Sequence, residues 1–190
     1  MSDVRMTKDG VLALLNEEHQ MALDKIECLD TALVGLQFEG KSSVGRNLKQ
    51  LRSVLGFFQG KLMKHMKLEE QVIFPFIKSH VPKLDSVLGV LCSQHEDFKG
   101  NSEDLQLFVD MLSNKTSKSD YSKIIRKLRE VGTYLIYLLR HHIQLEHQNI
   151  YKMINRELSK NEKRELERRV KEKAILVNGI NKKLKCKSIK

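Results

Sequence analysis

Between Val11 and Leu36, apolar residues recur at Leu12, Leu15, Ala22, Leu23, Ile26, Leu29 and Leu33, with His19 among them. Steps of three and four residues predict one helix with a single buried stripe. Gly35, Gly40 and the Ser42-Ser43 pair stop that helix and start a second, carried by Leu48, Leu51, Val54, Leu55, Phe58, Leu62, His65, Glu69, Val72 and Ile73. Both prolines, Pro75 and Pro82, are expected between periodic segments. Pro82 suits the first turn of a third helix, whose stripe is Leu84, Val87, Leu88, Leu91, His95, Phe98, Leu105 and Phe108. A polar run from Ser113 to Ser119 breaks the pattern. A fourth helix follows from about Asp120 to Glu157, with Ile124, Leu128, Val131, Leu135, Leu138, His142 and Glu146 along one side. Alternating β-branched runs are nearly absent, so the expected fold class is all-α.

The stripes are polar at a few recurring points. His65 and Glu69 stand four residues apart, as do His142 and Glu146. Four residues at about 100° each return to within about 40° of the starting direction, so each pair can grip one object. Each pair is preceded, 46 or 47 residues earlier, by one histidine on the previous helix: His19 before His65, His95 before His142. The chain therefore reads as two copies of one helical hairpin. Short connections between long helices make neighbours antiparallel, giving an up-down-up-down four-helix bundle. At a rise of about 1.5 Å per residue, the helix lengths place all four histidines near one level.

Four imidazoles and two carboxylates facing a core are costly to bury without a partner, and a metal centre suits this donor set. Two ions fit better than one. With both glutamates bridging, each ion would receive two imidazole nitrogens and two carboxylate oxygens, a recipe used in bundle cores for di-iron and di-manganese sites. Nitrogen and oxygen donors without thiolate admit iron, manganese or zinc. A structural zinc site would stop at four ligands. The expected metal ligands are thus His19, His65, Glu69, His95, His142 and Glu146. His141, His147 and Glu70 are expected to flank the site or face solvent, and His80 to lie on the surface. Cys92, one turn before His95, is read as a buried thiol or a neighbour of the site. Tyr134, Tyr137 and Tyr151 are read as core or bundle-edge aromatics.

Composition adds limits. At 190 residues, 41% hydrophobic and 31% charged, the chain is long enough for one well-buried domain and ordinary for a soluble helical protein. No run approaches the eighteen apolar residues of a membrane span, and the N-terminus, with Asp3, Arg5, Lys8 and Asp9, lacks a signal-peptide core, so the expected location is cytoplasmic. Cys28, Cys92 and Cys186 are too scattered for a disulfide framework. No Gly-rich phosphate loop or Ser-His-Asp arrangement is visible.

The net charge of +10 divides unevenly. Residues 155–190 hold 13 of the 34 Lys and Arg but 5 of the 24 Asp and Glu, so the basicity belongs to the tail. The expected division is a metal-binding bundle over residues 1–157 and a basic amphipathic helix over 158–190, with Leu166, Val170, Ala174, Val177, Ile180 and Leu184 as its apolar stripe. That helix could pack on the bundle or on a second copy, or dock a partner protein or acidic surface. Its lack of aromatics argues against nucleic-acid stacking and membrane anchoring.

The residues His19, His65-Met66-Lys67-Leu68-Glu69, His95 and His142-Ile143-Gln144-Leu145-Glu146, with Phe74-Pro75 following the first acidic ligand, resemble the hemerythrin-like (HHE) family of di-iron four-helix bundles. The resemblance covers about residues 10 to 157. It implies two non-heme iron ions and oxygen, nitric oxide or peroxide as the small ligand. Oxygen-carrying hemerythrins look asymmetric, with five histidine ligands, where this chain shows four. The pattern is closer to the branch associated with repair of iron-sulfur centres under oxidative and nitrosative stress. Those proteins carry a cysteine-bearing N-terminal segment, which this chain lacks. The resemblance therefore implies a protein that reacts with or senses these ligands, with reversible oxygen binding or storage, or a sensory module, as the alternative.

Overall fold

A computed structural model describes residues 10–39, 41–113 and 118–185, with side chains through residue 173 except those of residues 41, 118 and 119. All the long elements are helical, and no strand occurs among the described residues. We label five rods: α1 (Val11–Phe38), α2 (residues 44–80), α3 (Asp85–Ser113), α4 (residues 118–157) and α5 (Lys160–Lys185). Short 3₁₀ turns at Lys41–Ser43 and Pro82–Leu84 lead into α2 and α3. None of these helices is long and apolar enough to cross a membrane.

Cross-contacts show how neighbours run. Gln50 Nε2 donates to the Cys28 carbonyl at 2.9 Å, Lys61 Nζ sits 3.2 Å from Met21 Sδ, and His65 meets His19, so α2 descends as α1 rises. Arg52 with Ser113 and Gln59 with Gln106 repeat this between α2 and α3, as do Tyr134 with Asp97 and His141 with Gln94 between α3 and α4. Arg140 pairs with Glu27 and His147 approaches His19, which brings α4 back against α1. These two rods pack tightly at Gly132, where a Cβ would stand 2.5 Å from Leu33 Cδ1. A side chain there would push into the core.

Two apolar cores are stacked along the bundle. One holds Ile26, Leu29, Leu51, Phe58, Phe98, Leu105, Leu128 and Leu135, with Phe58 and Phe98 edge to face at 5.0 Å. The other holds Leu15, Ile73, Phe76, Ile77, Leu91, Ile150 and Ile154, joined by Leu158, Leu166 and Val170. Between them lies the layer of histidines and glutamates described below. Burial of these side chains, at about 1.5–3 kcal/mol each, is what holds the rods together.

The second rod corrects one expectation. Pro75 does not lie between periodic segments but inside α2, directly after a π-helical turn over Glu69–Ile73, where the Phe74 N–H bonds to the Glu69 carbonyl. The wider turn precedes the proline ring and lets the rod continue to His80. It also rotates the following stripe. Phe74, Phe76 and Ile77 are buried, while Val72 is only half-buried. The fourth rod carries the same device, a π-helical turn over Glu146–Tyr151.

The start of α5 is held by a reciprocal cap. Ser159 N donates to Glu162 Oε2 at 2.7 Å, and Glu162 N donates to Ser159 Oγ at 3.3 Å. The Arg169 guanidinium lies 5.2 Å over the Phe76 ring. Of the expected tail stripe, Leu166 and Val170 are buried against the bundle. The side chains of Ala174, Val177, Ile180 and Leu184, the thiol of Cys186, and residues 114–117 and 1–9 lie outside the described residues.

Candidate metal centre

Each of the four bundle rods sends polar side chains into the layer between the cores: α1 His19, α2 His65 and Glu69, α3 His95, α4 His142 and Glu146. All six are 3% exposed or less. Such burial of donors is tolerable only if their electron pairs meet something positive.

All four rings turn Nε2 inward. His19 Nε2 and His65 Nε2 are 3.0 Å apart, and His95 Nε2 and His142 Nε2 are 3.2 Å apart. The glutamates lie between these pairs. Glu69 presents Oε1 to His65 Nε2 at 3.0 Å and Oε2 to His95 Nε2 at 3.4 Å. Glu146 presents Oε2 to His19 Nε2 at 3.1 Å and Oε1 to His142 Nε2 at 3.2 Å. Two four-residue cages result, His19-His65-Glu69-Glu146 and Glu69-His95-His142-Glu146, each with its donor atoms within 4.8 Å of one another. The glutamates belong to both.

The outward nitrogens are also engaged. His65 Nδ1 donates to Glu18 Oε2 at 2.8 Å and His95 Nδ1 to Glu70 Oε1 at 2.6 Å. His142 Nδ1 donates to Gln94 Oε1 at 3.1 Å. His19 Nδ1 lies 3.2 Å from both the Tyr151 hydroxyl and His147 Nε2. Where Nδ1 keeps its proton for such an acceptor, a neutral imidazole has a bare lone pair at Nε2. Paired lone pairs at 3.0–3.2 Å, facing carboxylate oxygens, are electron-rich and mutually repulsive unless cations sit among them. Three of the four carboxylate oxygens, Glu69 Oε2 and both oxygens of Glu146, have no aligned hydrogen-bond donor. They are 3.1–3.4 Å from imidazole nitrogens without lying on an N–H direction. The donor set therefore fits a pair of metal cations.

Without metal, protons take that role. Burial opposes charge on His65, but the Glu69 carboxylate and the bond to Glu18 outweigh it and hold its pKa up at about 10. His95 is raised in the same way against burial, by Glu69 and Glu70. Burial would raise Glu146, yet the imidazoles of His142 and His19 carry it well below the ordinary carboxylate range. The sign for stability follows from the His65 value. A group raised from 6.5 to about 10 on folding stabilises the metal-free protein fully below pH 6.5, and that contribution fades as pH rises through 10. The chelator-treated protein should therefore lose melting temperature between about pH 7 and pH 10, while the metal-loaded protein stays level because its imidazoles need no proton. Melting curves of both forms across that range check it. A metal-free form as level as the loaded one would contradict the proton network.

The surroundings of the layer sort the remaining candidates. His147 and Glu70 flank it, each touching the outer nitrogen of one histidine. His141 meets Gln94 and stacks on Tyr137, away from the layer's inner nitrogens. Tyr151 is more than a core aromatic, since its hydroxyl reaches His19 and its ring stacks on that imidazole at 5.8 Å. Phe74 stacks on His95 at the same 5.8 Å. The Cys92 thiol is half-buried, and burial followed by Glu70 and Glu69 pushes its pKa up, which makes it a poor thiolate. Glu18 and Gln94 were not apparent from the stripes. The signal that points to them is positional: each stands immediately before the first-helix histidine of its own copy.

Comparison with protein-family models matches the hemerythrin HHE cation binding domain over residues 10–154. Neither the curated proteins nor the solved structures return a match.

Proposed function

Because this chain belongs to the hemerythrin HHE cation-binding family, we propose that it is a non-heme di-iron protein that takes up oxygen, nitric oxide or peroxide. The observation that carries the reading is the sharing of Glu69 and Glu146 by two adjacent His₂ cages. We read the architecture as an up-down-up-down four-helix bundle of two hairpins over residues 1–157, with 158–190 as an added helix. His19, His65, Glu69, His95, His142 and Glu146 are the proposed ligands of two ions, with iron favoured by the family and manganese or zinc chemically admissible.

When bound, such ions supply electrons and coordination positions for a diatomic or peroxide ligand. The rest is done by the chain. Glu69 and Glu146 each turn one oxygen toward either cage and would help hold both ions. The four imidazoles are held by their outer nitrogens and by the stacked rings of Phe74 and Tyr151. The apolar cores above and below keep bulk water from the layer, so charge changes there are weakly screened.

The cages offer matching donor sets, two imidazole nitrogens and two carboxylate oxygens each. That symmetry favours a reactive or sensing centre in stress response or iron-centre repair over a reversible carrier, which benefits from one filled and one open metal. Protein reconstituted with ferrous iron under anaerobic conditions and mixed with limiting oxygen should oxidise within the mixing experiment. An oxygenated species that returns to the ferrous form under vacuum would reverse the preference and assign a carrier.

A further inference from the structure

The outer contacts of the histidines repeat with the hairpins. The residue before the first-helix histidine backs the second-helix histidine: Glu18 on His65, Gln94 on His142. The residue after the shared glutamate backs the first-helix histidine of the other copy: Glu70 on His95, His147 on His19. All four backing positions are thus equivalent in the two copies, but their chemistry is not. The first copy supplies two carboxylates and the second supplies an amide and an imidazole. Because the backing crosses between rods, each cage receives one carboxylate-backed histidine, His65 in one and His95 in the other.

We infer that Glu18 and Glu70 are positioning residues of the metal centre, each keeping the proton of its histidine on Nδ1 so that Nε2 is delivered bare to the metal. This rests on the reading of the six inner residues as metal ligands. The geometry assigns Glu18 and Glu70 outside that set, since each reaches the ring nitrogen that faces away from the cage, at 2.8 and 2.6 Å. Both sit at the rim of the layer, with side chains 18% and 36% exposed, whereas the shared Glu69 and Glu146 are 1% exposed inside it. A group that orients a histidine ligand through its distal nitrogen typically contributes about 10- to 100-fold in metal affinity.

Gln94 shows that an amide oxygen serves the same geometric purpose on His142, which supplies the test. The variants Glu70→Leu, Glu70→Gln and Glu18→Leu are loaded with zinc, a diamagnetic probe, and titrated with a competing chelator. Both leucine variants should release one of two ions about 10- to 100-fold more readily than the wild type. Glu70→Gln should recover most of that loss, because its Oε1 still accepts from Nδ1. In the zinc-loaded wild type, proton NMR should show exchange-protected Nδ1–H signals, and Glu70→Leu should lose one that Glu70→Gln keeps. A purely structural role for Glu70 would not move that signal selectively. The lower exposure of Glu18 makes its variant the more prone to misfold, and Glu70, at the edge of the layer, then carries the test alone. Unchanged zinc affinity in Glu70→Leu would overturn the inference, as would a glutamine variant as weak as the leucine one. A wild-type protein that takes up no zinc or iron would instead overturn the metal reading beneath it.

Discussion

Glu146→Ala should empty both halves of the centre, whereas His19→Ala should empty one. Glu146 contributes Oε2 to the cage of His19 and His65 and Oε1 to the cage of His95 and His142, so its loss takes a donor from each. His19 belongs to a single cage. After anaerobic loading with ferrous iron and desalting, the wild type should retain two ions per chain, His19→Ala about one, and Glu146→Ala close to none. Glu69→Ala should match Glu146→Ala, because it bridges the same two cages with its own oxygens. Removing one member of a buried ion pair costs about 3–5 kcal/mol, so metal is counted on the folded fraction. Glu146→Gln, which keeps the shape and one acceptor, provides a gentler version. A Glu146→Ala protein that holds the wild-type complement of iron would break the bridging assignment.

Truncation after Arg156 should lower the melting temperature by about 10–20 °C. The deletion removes Leu158, Leu166 and Val170, all buried against Ile73, Phe76, Ile77 and Ile154. At about 1.5–3 kcal/mol per side chain the loss is about 5 kcal/mol or more, and a chain of this size loses about 2–4 °C per kcal/mol. The contact of Arg169 with Phe76 goes as well. None of the six inner residues lies beyond Glu146, so the truncated protein should still bind metal at a temperature where it is folded. Thermal melting of the two chains, each with and without iron, makes the comparison. A truncated chain that melts with the full one would mean that α5 contributes no net stability to the bundle.

Much of this was legible in the chain because helix period and repeat period agree. The stripes place rods α1, α3 and α4 within a few residues of their observed ends, and the His-x-x-x-Glu pairs of α2 and α4 are buried because each lies on its rod's stripe. What escaped is what depends on departures from the α period. The π-helical turn after Glu69 moves the buried stripe from Val72 to Phe74 and Ile77 and admits Pro75 into the rod, and no residue type marks such a turn. Glu18 and Gln94 escaped for a different reason. A glutamate or glutamine on the flank of a helix looks like solvated surface until the neighbouring rod supplies a histidine nitrogen within 3.1 Å.

Of the three π-helical turns among the described residues, two begin at the shared glutamates, Glu69 and Glu146, and the third, over Phe58–Leu62, lies in the first copy alone. A π-helical turn that starts at the shared glutamate of each half is what a duplicated hairpin would carry. One hairpin carrying His19, His65 and Glu69, meeting a second copy of itself across a two-fold axis, would assemble the same layer from two chains. Joining two such copies end to end would remove the need for the halves to stay identical. The traces of that freedom surround the layer: Glu18 against Gln94, Glu70 against His147, Phe74 against Tyr151. Gene fusion would thus have kept the symmetric interior and released its periphery to specialise.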